Sequence, residues 1–331
     1  MKAWVSHHAG PPDTLVLEDR PIPEPATGEV RVRVESVSIN YPDSLLIRDL
    51  YQVKPPRPLV PGAEFCGTVD AAGPGTSLQP GDVVLGRCGW GALAEQVVIA
   101  QDRCIRVPAT TARAEASAFL FAYATAYHAL QDRAQLRPGE KLLVLAAAGG
   151  VGSAAVEVGR AMGAQVYAAA SSDAKLAFAR SLGAHDGTVY ASNLAEGDDQ
   201  KAFSTNLKAL APEGFDVVFD PVGGAYSEPA LRSLAYGGRH LVVGFTAGIP
   251  RIPANLPLLK TASLVGVDWR MFVQKHADAN RRNVEQLLAW WEQGRVRPRV
   301  TETYCFHDAP RALERMESRQ AVGKIVVNVA G

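Results

Sequence analysis

The spacing of apolar and polar residues changes character near residue 115. Upstream, Glu29–Ile39 reads E-V-R-V-R-V-E-S-V-S-I, an alternation of period two that predicts a strand with one apolar and one wet face. Short β-branched runs over Cys66–Ala71, Val83–Arg87 and Ala94–Ile99 predict further strands, with turns at Pro80-Gly81-Asp82 and Gly89-Trp90-Gly91. This is the texture of an all-β lobe. Ala114–Leu130 then runs without glycine or proline and predicts one alanine-rich helix at a domain junction.

Beyond Leu142 the apolar runs are continuous. Leu142–Leu145, Val166–Ala170, Val217–Asp220 and His240–Phe245 alternate with helical patterns, as strands of a parallel sheet covered on both faces do. Asn280–Gln293 predicts an amphipathic helix stopped by Gly294, and Asp308 is placed to cap a helix running to about Ser318. Lys324–Val329 predicts a closing strand that returns to the first lobe. With 331 residues the chain exceeds one comfortable core. The expected division is 1–121, 122–267 and a C-terminal return over 268–331.

Lysine plus arginine balances aspartate plus glutamate at 34 each, so no long-range field draws the chain to nucleic acid or an anionic membrane surface. Small neutral partners fit better. No apolar run approaches the roughly 20 residues that span a bilayer. Cys66, Cys88, Cys104 and Cys305 are scattered, and Met1-Lys2-Ala3-Trp4-Val5 reads as a strand rather than an export signal, so reduced thiols and a cytoplasmic location are expected.

The strongest chemical signal is Leu142–Leu145 followed by Ala146-Ala147-Ala148-Gly149-Gly150-Val151-Gly152 and the helical pattern from Ser153. It is the strand, glycine turn and helix of a dinucleotide site, with Gly149 where backbone approaches a pyrophosphate and Gly152 where helix packs on strand. Ala147 stands where the first glycine is usual. Amides at the helix start, including those of Ala148, Gly150 and Val151, suit a diphosphate. The bland alternative is a tight turn without ligand.

Specificity is read at the end of the next strand. An NAD site needs an acidic side chain there, whereas Val166–Ala170 ends in Ser171-Ser172 with Lys175 one turn on. These groups donate to a 2′-phosphate that a carboxylate would repel, so NADPH is the expected cofactor. Asp173 is read as a helix N-cap, and Lys175 alone would pass for a solvated helix lysine.

With these residues established, the chain resembles the zinc-independent quinone oxidoreductase branch, the zeta-crystallin-like family, of the medium-chain dehydrogenases/reductases. The resemblance spans nearly the full length. It is carried by Asn40-Tyr41-Pro42-Asp43, Pro61–Gly67, Gly81–Val84, Thr125–Leu130, the glycine turn, Phe219–Gly224 and Gly323–Val327. It implies an α/β chain with a GroES-like β-rich lobe and a Rossmann lobe, a doubly wound parallel sheet, with the nicotinamide in the cleft. A homodimer paired through Ser263–Val267 is also implied. Zinc-dependent members carry cysteine at the position of Asn40 and histidine at that of Ala63, so no metal site is expected.

Without a metal to stabilise an alkoxide, conjugated acceptors such as a quinone or enone fit best, because they spread the developing charge. The resemblance implies Asn40 and Tyr51 on the substrate side, Tyr51 being the better proton donor. It also implies Thr125 at the nicotinamide, Tyr190 at the adenosine phosphate, and Gly244, Phe245, Thr246, Val267 and Asp268 along the cofactor. Relatives usually carry glycine at Asp49, so a different loop shape is expected there.

Other signals weigh less. His7-His8 on a strand point to opposite faces and chelate poorly. His128 reads as structural or as a cofactor contact, Trp290-Trp291 as packing, and Asp220 as a turn former or a catalytic carboxylate. Two alternatives stay open: an enoyl-thioester or enone reductase, and an NADPH-binding structural or RNA-binding protein of the zeta-crystallin type.

Overall fold

The computed structural model describes residues 1–194 and 197–329, which divide into two compact units. One comprises Met1–Phe121 and the segment from Pro298 onward; the other is Ala122–Arg297. The first opens with β1 (Lys2–Val5), β2 (Val16–Asp19), β3 (Glu29–Ile39), β4 (Glu64–Ala72), β5 (Val83–Arg87), β6 (Gln96–Ala100) and β7 (Cys104–Val107). The second contributes β8 (Lys141–Leu145), β9 (Gln165–Ala170), β10 (Asp186–Val189), β11 (Phe215–Asp220), β12 (Leu234–Val242) and β13 (Ser263–Gly266). The chain then re-enters the first unit as β14 (Val300–Cys305) and β15 (Lys324–Asn328).

In the first unit β14-β15-β3-β4-β5-β7 form one sheet, with β6 paired to β3. The period-two pattern of β3 is realised: Val30, Val32 and Val34 are buried, whereas Arg31 forms an ion pair with Asp70. They pack with Phe65, Val84, Ile325 and Val327 in the unit's core. Across β4 and β5, Phe65 stands opposite Gly86, and its ring covers that glycine so closely that a Cβ there would lie 2.2 Å from Cζ. An aromatic laid over a cross-strand glycine restores the contact that the missing side chain gives up. The expected strand Ala94–Ile99 starts later, at Gln96, because Ala94 bridges to Ala3.

The alanine-rich run is not one helix. An α-helix covers only Arg113–Ser117, and wider π-type turns over Leu120–Ala124 and His128–Arg133 flank the short helical piece Thr125–Tyr127. The amide of Phe121 donates to Glu64 Oε2 at 2.8 Å instead of to a carbonyl one turn back, which interrupts the α ladder at its outset.

The second unit's six strands are all parallel, in the order β10-β9-β8-β11-β12-β13. Counted within the unit this is 3-2-1-4-5-6, the doubly wound order whose direction reverses between β8 and β11. Ligands in such sheets bind at that crevice, beyond the carboxyl ends of the strands. β8 is buried from Leu142 to Leu145, as its continuous apolar run requires. β12 stops at Val242, short of the expected Phe245, because the amides of Val243 and Gly244 turn to the Asp220 carbonyl.

Helix ends follow the expected chemistry with two corrections. The helix Ala277–Glu292 is closed by Gly294 at φ +69. Ser172, not Asp173, caps the helix Asp173–Ser181, its hydroxyl accepting from the Lys175 amide at 3.3 Å. Asp308 does precede the helix Ala309–Glu317, but its carboxylate accepts from Cys305 and Arg311 rather than capping a backbone amide. All four cysteines are free. No helix among the described residues is long and apolar enough to cross a membrane.

The loop after Ile47 keeps the conformation a glycine would adopt: Asp49 has φ +56, held by Arg57 Nη2 donating to its carboxylate at 2.7 Å. The strain of a side chain in that region is on the order of 1–2 kcal/mol. Asp49→Ala, which loses the ion pair and keeps the strain, is expected to lower thermal stability by about 1 kcal/mol or more, and Asp49→Gly by less. Scanning calorimetry of the two variants checks the order.

Candidate functional site

β8 delivers the chain into a turn whose shape is dictated by one close approach. Ala146 adopts φ +47 and its carbonyl accepts the Gly149 amide at 2.9 Å. A Cβ on Gly152 would lie 2.1 Å from that same oxygen, whereas one on Gly149 would lie 3.3 Å away. Gly152 is therefore required for helix to seat on strand, and Gly149 leaves the turn's outer surface bare. The helix Gly150–Ala161 starts here, with Ala148 buried beneath it. The amides of Gly150, Val151 and Gly152 have no carbonyl partner among the described residues, leaving donors at the positive end of the helix.

The neighbouring strand end supplies cation and hydroxyls together. Beyond β9, Lys175 Nζ donates to Ser171 Oγ at 3.1 Å, and Ser172 begins the helix. Tyr190, past β10, is buried; burial pushes its phenol up, and the Ala146 backbone hydrogen-bonds its hydroxyl. Its ring meets those of Phe203 and Tyr226 edge-on at 5.4 and 5.0 Å. Tyr190 thus buttresses the glycine turn from below. Thr125 is half-buried between the two π-type turns.

Across the crevice, Asp220 at the end of β11 organises the opposite wall. Its Oδ1 accepts the amides of Val222 and Gly223, both at 2.9 Å, and Oδ2 accepts from Ser227 Oγ at 2.5 Å and meets His240 Nε2 at 3.0 Å. Burial opposes this charge, yet the His240, Ser227 and Gly223 contacts together hold the carboxyl below its ordinary range. With every lone pair occupied, Asp220 is a turn former. Gly244, Phe245 and Thr246 lie over this turn, with Thr246 Oγ1 donating to the Pro221 carbonyl at 3.3 Å and Phe245 exposed. Val267 follows β13, its amide on the Val242 carbonyl, and Asp268 caps the helix Trp269–Lys275 by accepting from the Met271 amide.

In the first unit Asn40 sits in a buried polar knot. Its Nδ2 donates to the Ser38 carbonyl at 3.2 Å and to Glu64 Oε1 at 3.0 Å, and its Oδ1 accepts from Lys324 Nζ at 2.6 Å. Lys324 also donates to Glu64 Oε1 at 3.1 Å. Both amide protons of Asn40 are committed internally. Its backbone amide meets Asp43 Oδ2 at the start of the helix Tyr41–Ile47. Tyr51 is half-buried in the irregular stretch that follows, close enough to Arg87 to influence that guanidinium. Lys324 lies in the Gly323–Val327 segment that carries part of the resemblance, but the sequence reading gives it no role of its own; its one sign is a lysine opening an apolar strand.

The discounted signals have partners. His7 pairs with Glu18, His128 Nδ1 meets Asp132 at 2.7 Å and its ring stacks on Phe272 at 4.1 Å, and Trp290 packs edge-on to Tyr127 at 5.5 Å.

The sequence matches the alcohol dehydrogenase GroES-like domain over residues 26–109 and the zinc-binding dehydrogenase family over 182–327. It is 35% identical over 321 residues to quinone oxidoreductase-like protein 2 of Bos taurus, covering 95% of this chain and 89% of that protein. The chain belongs to the medium-chain dehydrogenase/reductase family. Within that family, the quinone oxidoreductase from Thermus thermophilus, solved also in complex with NADPH, superposes with a TM-score of 0.82 at 34% identity over 99% of this chain and all of that one. The CurK enoyl reductase gives a TM-score of 0.86 at 26% identity, over 99% of each chain.

Zinc, which the name of the matched dehydrogenase family carries, does not fit the residues present. Ala63 offers no donor, and the Asn40 and Glu64 oxygens already hold the Lys324 ammonium, so a metal ion there would meet a fixed positive charge at contact distance.

Gly152→Ala forces a methyl against the Ala146 carbonyl and is expected to destabilise the protein by about 1–3 kcal/mol, while Gly149→Ala costs under about 1 kcal/mol in thermal unfolding. Asp43 is wholly buried, and burial first, with Glu64 beside it, pushes its carboxyl up to about 7. A folded-state value above the unfolded one means that stability is full below about pH 4 and is lost as the pH rises through about 7. Asp43→Asn is expected to flatten that slope in melting temperatures measured from about pH 4 to 8.

Proposed function

We propose that this oxidoreductase reduces conjugated carbonyls with NADPH, quinones foremost. The observation that carries the reading is the glycine turn with its unclaimed amides beside a strand that ends in Ser171 and Ser172, with Lys175 donating to Ser171, and the nearest carboxylate, Asp173, standing one position further on as the first residue of the helix. When bound, NADPH supplies a hydride from the nicotinamide C4. The chain's own part is to hold both reactants. The amides of Gly150, Val151 and Gly152, with the backbone of Ala148 and Gly149, seat the diphosphate, while Ser171, Ser172 and Lys175 take the 2′-phosphate. Thr125, Gly244, Phe245, Thr246, Val267 and Asp268 are assigned along the remaining length, and Tyr190 holds the turn that grips it.

On the acceptor side, Tyr51 is assigned as the proton donor. Asn40, whose amide protons are spent on Ser38 and Glu64, acts by positioning. A conjugated acceptor delocalises the charge that develops on its oxygen, which suits a site whose fixed cation is an ammonium engaged elsewhere. An enone or enoyl-thioester substrate is the second reading, favoured by the likeness to an enoyl reductase. The balanced charge gives a nucleic-acid-binding role no support. A homodimer is proposed through β13, an edge strand with Leu264 exposed and with the exposed Leu258 and Leu259 just ahead of it in the chain.

Purified protein given NADPH and a panel of quinones, enones and crotonyl thioesters is expected to oxidise the cofactor fastest with a quinone; turnover confined to thioesters would reverse the order of the two readings. Lys175→Ala is expected to weaken NADPH binding by about tenfold and NADH binding by less than about twofold in fluorescence titrations. Equal losses would remove the lysine from the 2′-phosphate.

A further inference from the structure

β12 carries one side chain that its surroundings do not call for. His240 is fully buried, and the residues paired with it on β11 and β13 are Val218 and Leu264, both apolar. A hydrocarbon side chain would serve the packing there. The imidazole instead leaves Nδ1 buried with no hydrogen-bond partner among the described residues, a desolvation cost that an apolar side chain avoids. What offsets that cost is its one bond, Nε2 to Asp220 Oδ2 at 3.0 Å.

That bond takes effect through Asp220. Oδ2 is shared with the hydroxyl of Ser227, which rotates to suit its partner, whereas the imidazole is a rigid ring seated in a strand. His240 therefore fixes the plane of the carboxylate, whose other oxygen gathers the Val222 and Gly223 amides into a turn. The turn meets the loop after β12 backbone against backbone. The Ala247 amide donates to the Val222 carbonyl and the Gly224 amide to the Gly248 carbonyl, both at 2.7 Å. A Cβ on Gly223 would lie 2.4 Å from the Gly248 oxygen, and one on Gly224 2.5 Å from that of Ala247. With no side chain between them to absorb a shift, displacing the turn displaces the loop.

Both segments stand at the carboxyl ends of β11 and β12, in the second half of the doubly wound sheet. The first half holds the glycine turn with Ser171, Ser172 and Lys175, the adenosine side of the site. A dinucleotide laid across the switch point brings its nicotinamide half to the second. We propose that His240 is a positioning residue for the nicotinamide half of NADPH, acting through the Asp220 carboxylate on the turn Pro221–Gly224 and the stretch Gly244–Thr246 packed on it. The inference rests on the reading that assigns Gly244, Phe245 and Thr246 along the cofactor, and it adds what holds them in place.

The test titrates the intact protein with two ligands in a calorimeter: NADPH, and adenosine 2′,5′-bisphosphate, which carries the adenosine side alone. His240→Leu, which fills the space without a donor, is expected to weaken NADPH binding by about tenfold and bisphosphate binding by less than about twofold. His240→Gln, whose amide donates as the imidazole does, is expected to return NADPH affinity to within about threefold of the wild type. Equal losses for both ligands in folded His240→Leu, or NADPH binding unchanged in it, overturn the proposal. A second measurement needs no variant to fold. Coupling is reciprocal, so a residue that sets cofactor affinity must itself sense the cofactor. In magnetic resonance spectra of wild-type protein carrying isotope-labelled histidine, NADPH is expected to move the His240 ring signals, assigned through their contacts with Val218 and Leu264, and the bisphosphate to leave them in place. Ring signals that NADPH does not move, or that both ligands move alike, overturn the positioning role. A wild type that binds neither ligand removes the reading of the cofactor site as well, whereas NADPH binding indifferent to His240 removes the positioning role alone.

Discussion

The first unit depends on a buried ion pair. Lys324 reaches from β15 to Glu64 on β4, and the two side chains share Asn40 at the head of a helix. Taking both charges out of water costs several kcal/mol each, so the arrangement depends on the further hydrogen bonds around the pair. Glu64 takes the Phe121 amide and Asn40 donates to the Ser38 carbonyl. Through this knot the chain's closing strand, its longest strand and the beginning of the broken helix are set by one carboxylate. That same carboxylate is why the α ladder fails at Phe121, so a polar contact 57 residues distant in sequence overrides a helix-favouring composition.

The second unit solves a different problem with backbone alone. Its sheet reverses direction between β8 and β11, and two turns meet the resulting crevice. One is made by the absence of a side chain at Gly152; the other is made by a carboxylate, Asp220, whose four bonds replace what glycine does opposite. Both leave main-chain groups in fixed directions, and neither relies on long flexible side chains.

What was legible in the sequence was what is local. The alternation over Glu29–Ile39 needs only the period of the pleat, and the turn from Ala146 to Gly152 needs only the steric consequence of a missing Cβ, so both follow from neighbouring residues. The broken helix, the early end of β12 and the fully committed amide of Asn40 were not legible, because each is decided by a partner far along the chain: Glu64 for Phe121, Asp220 for Val243, and Lys324, 284 positions away, for Asn40. At Asp49 the deciding contact is nearer in the chain. Arg57, eight residues on, holds an aspartate in the backbone conformation expected of glycine.

The place of β15 has a bearing on how the chain is born. It lies between β14 and the Ser36–Ile39 half of β3, so that half has no neighbour on one side until residues 324–328 have been synthesised. The second unit is contiguous over Ala122–Arg297 and is complete before then. Folding on the ribosome therefore inverts the usual order, in which the part made first matures first. While the second unit assembles, the first waits with an open strand edge, the kind of surface that invites pairing with another nascent chain and the attention of chaperones.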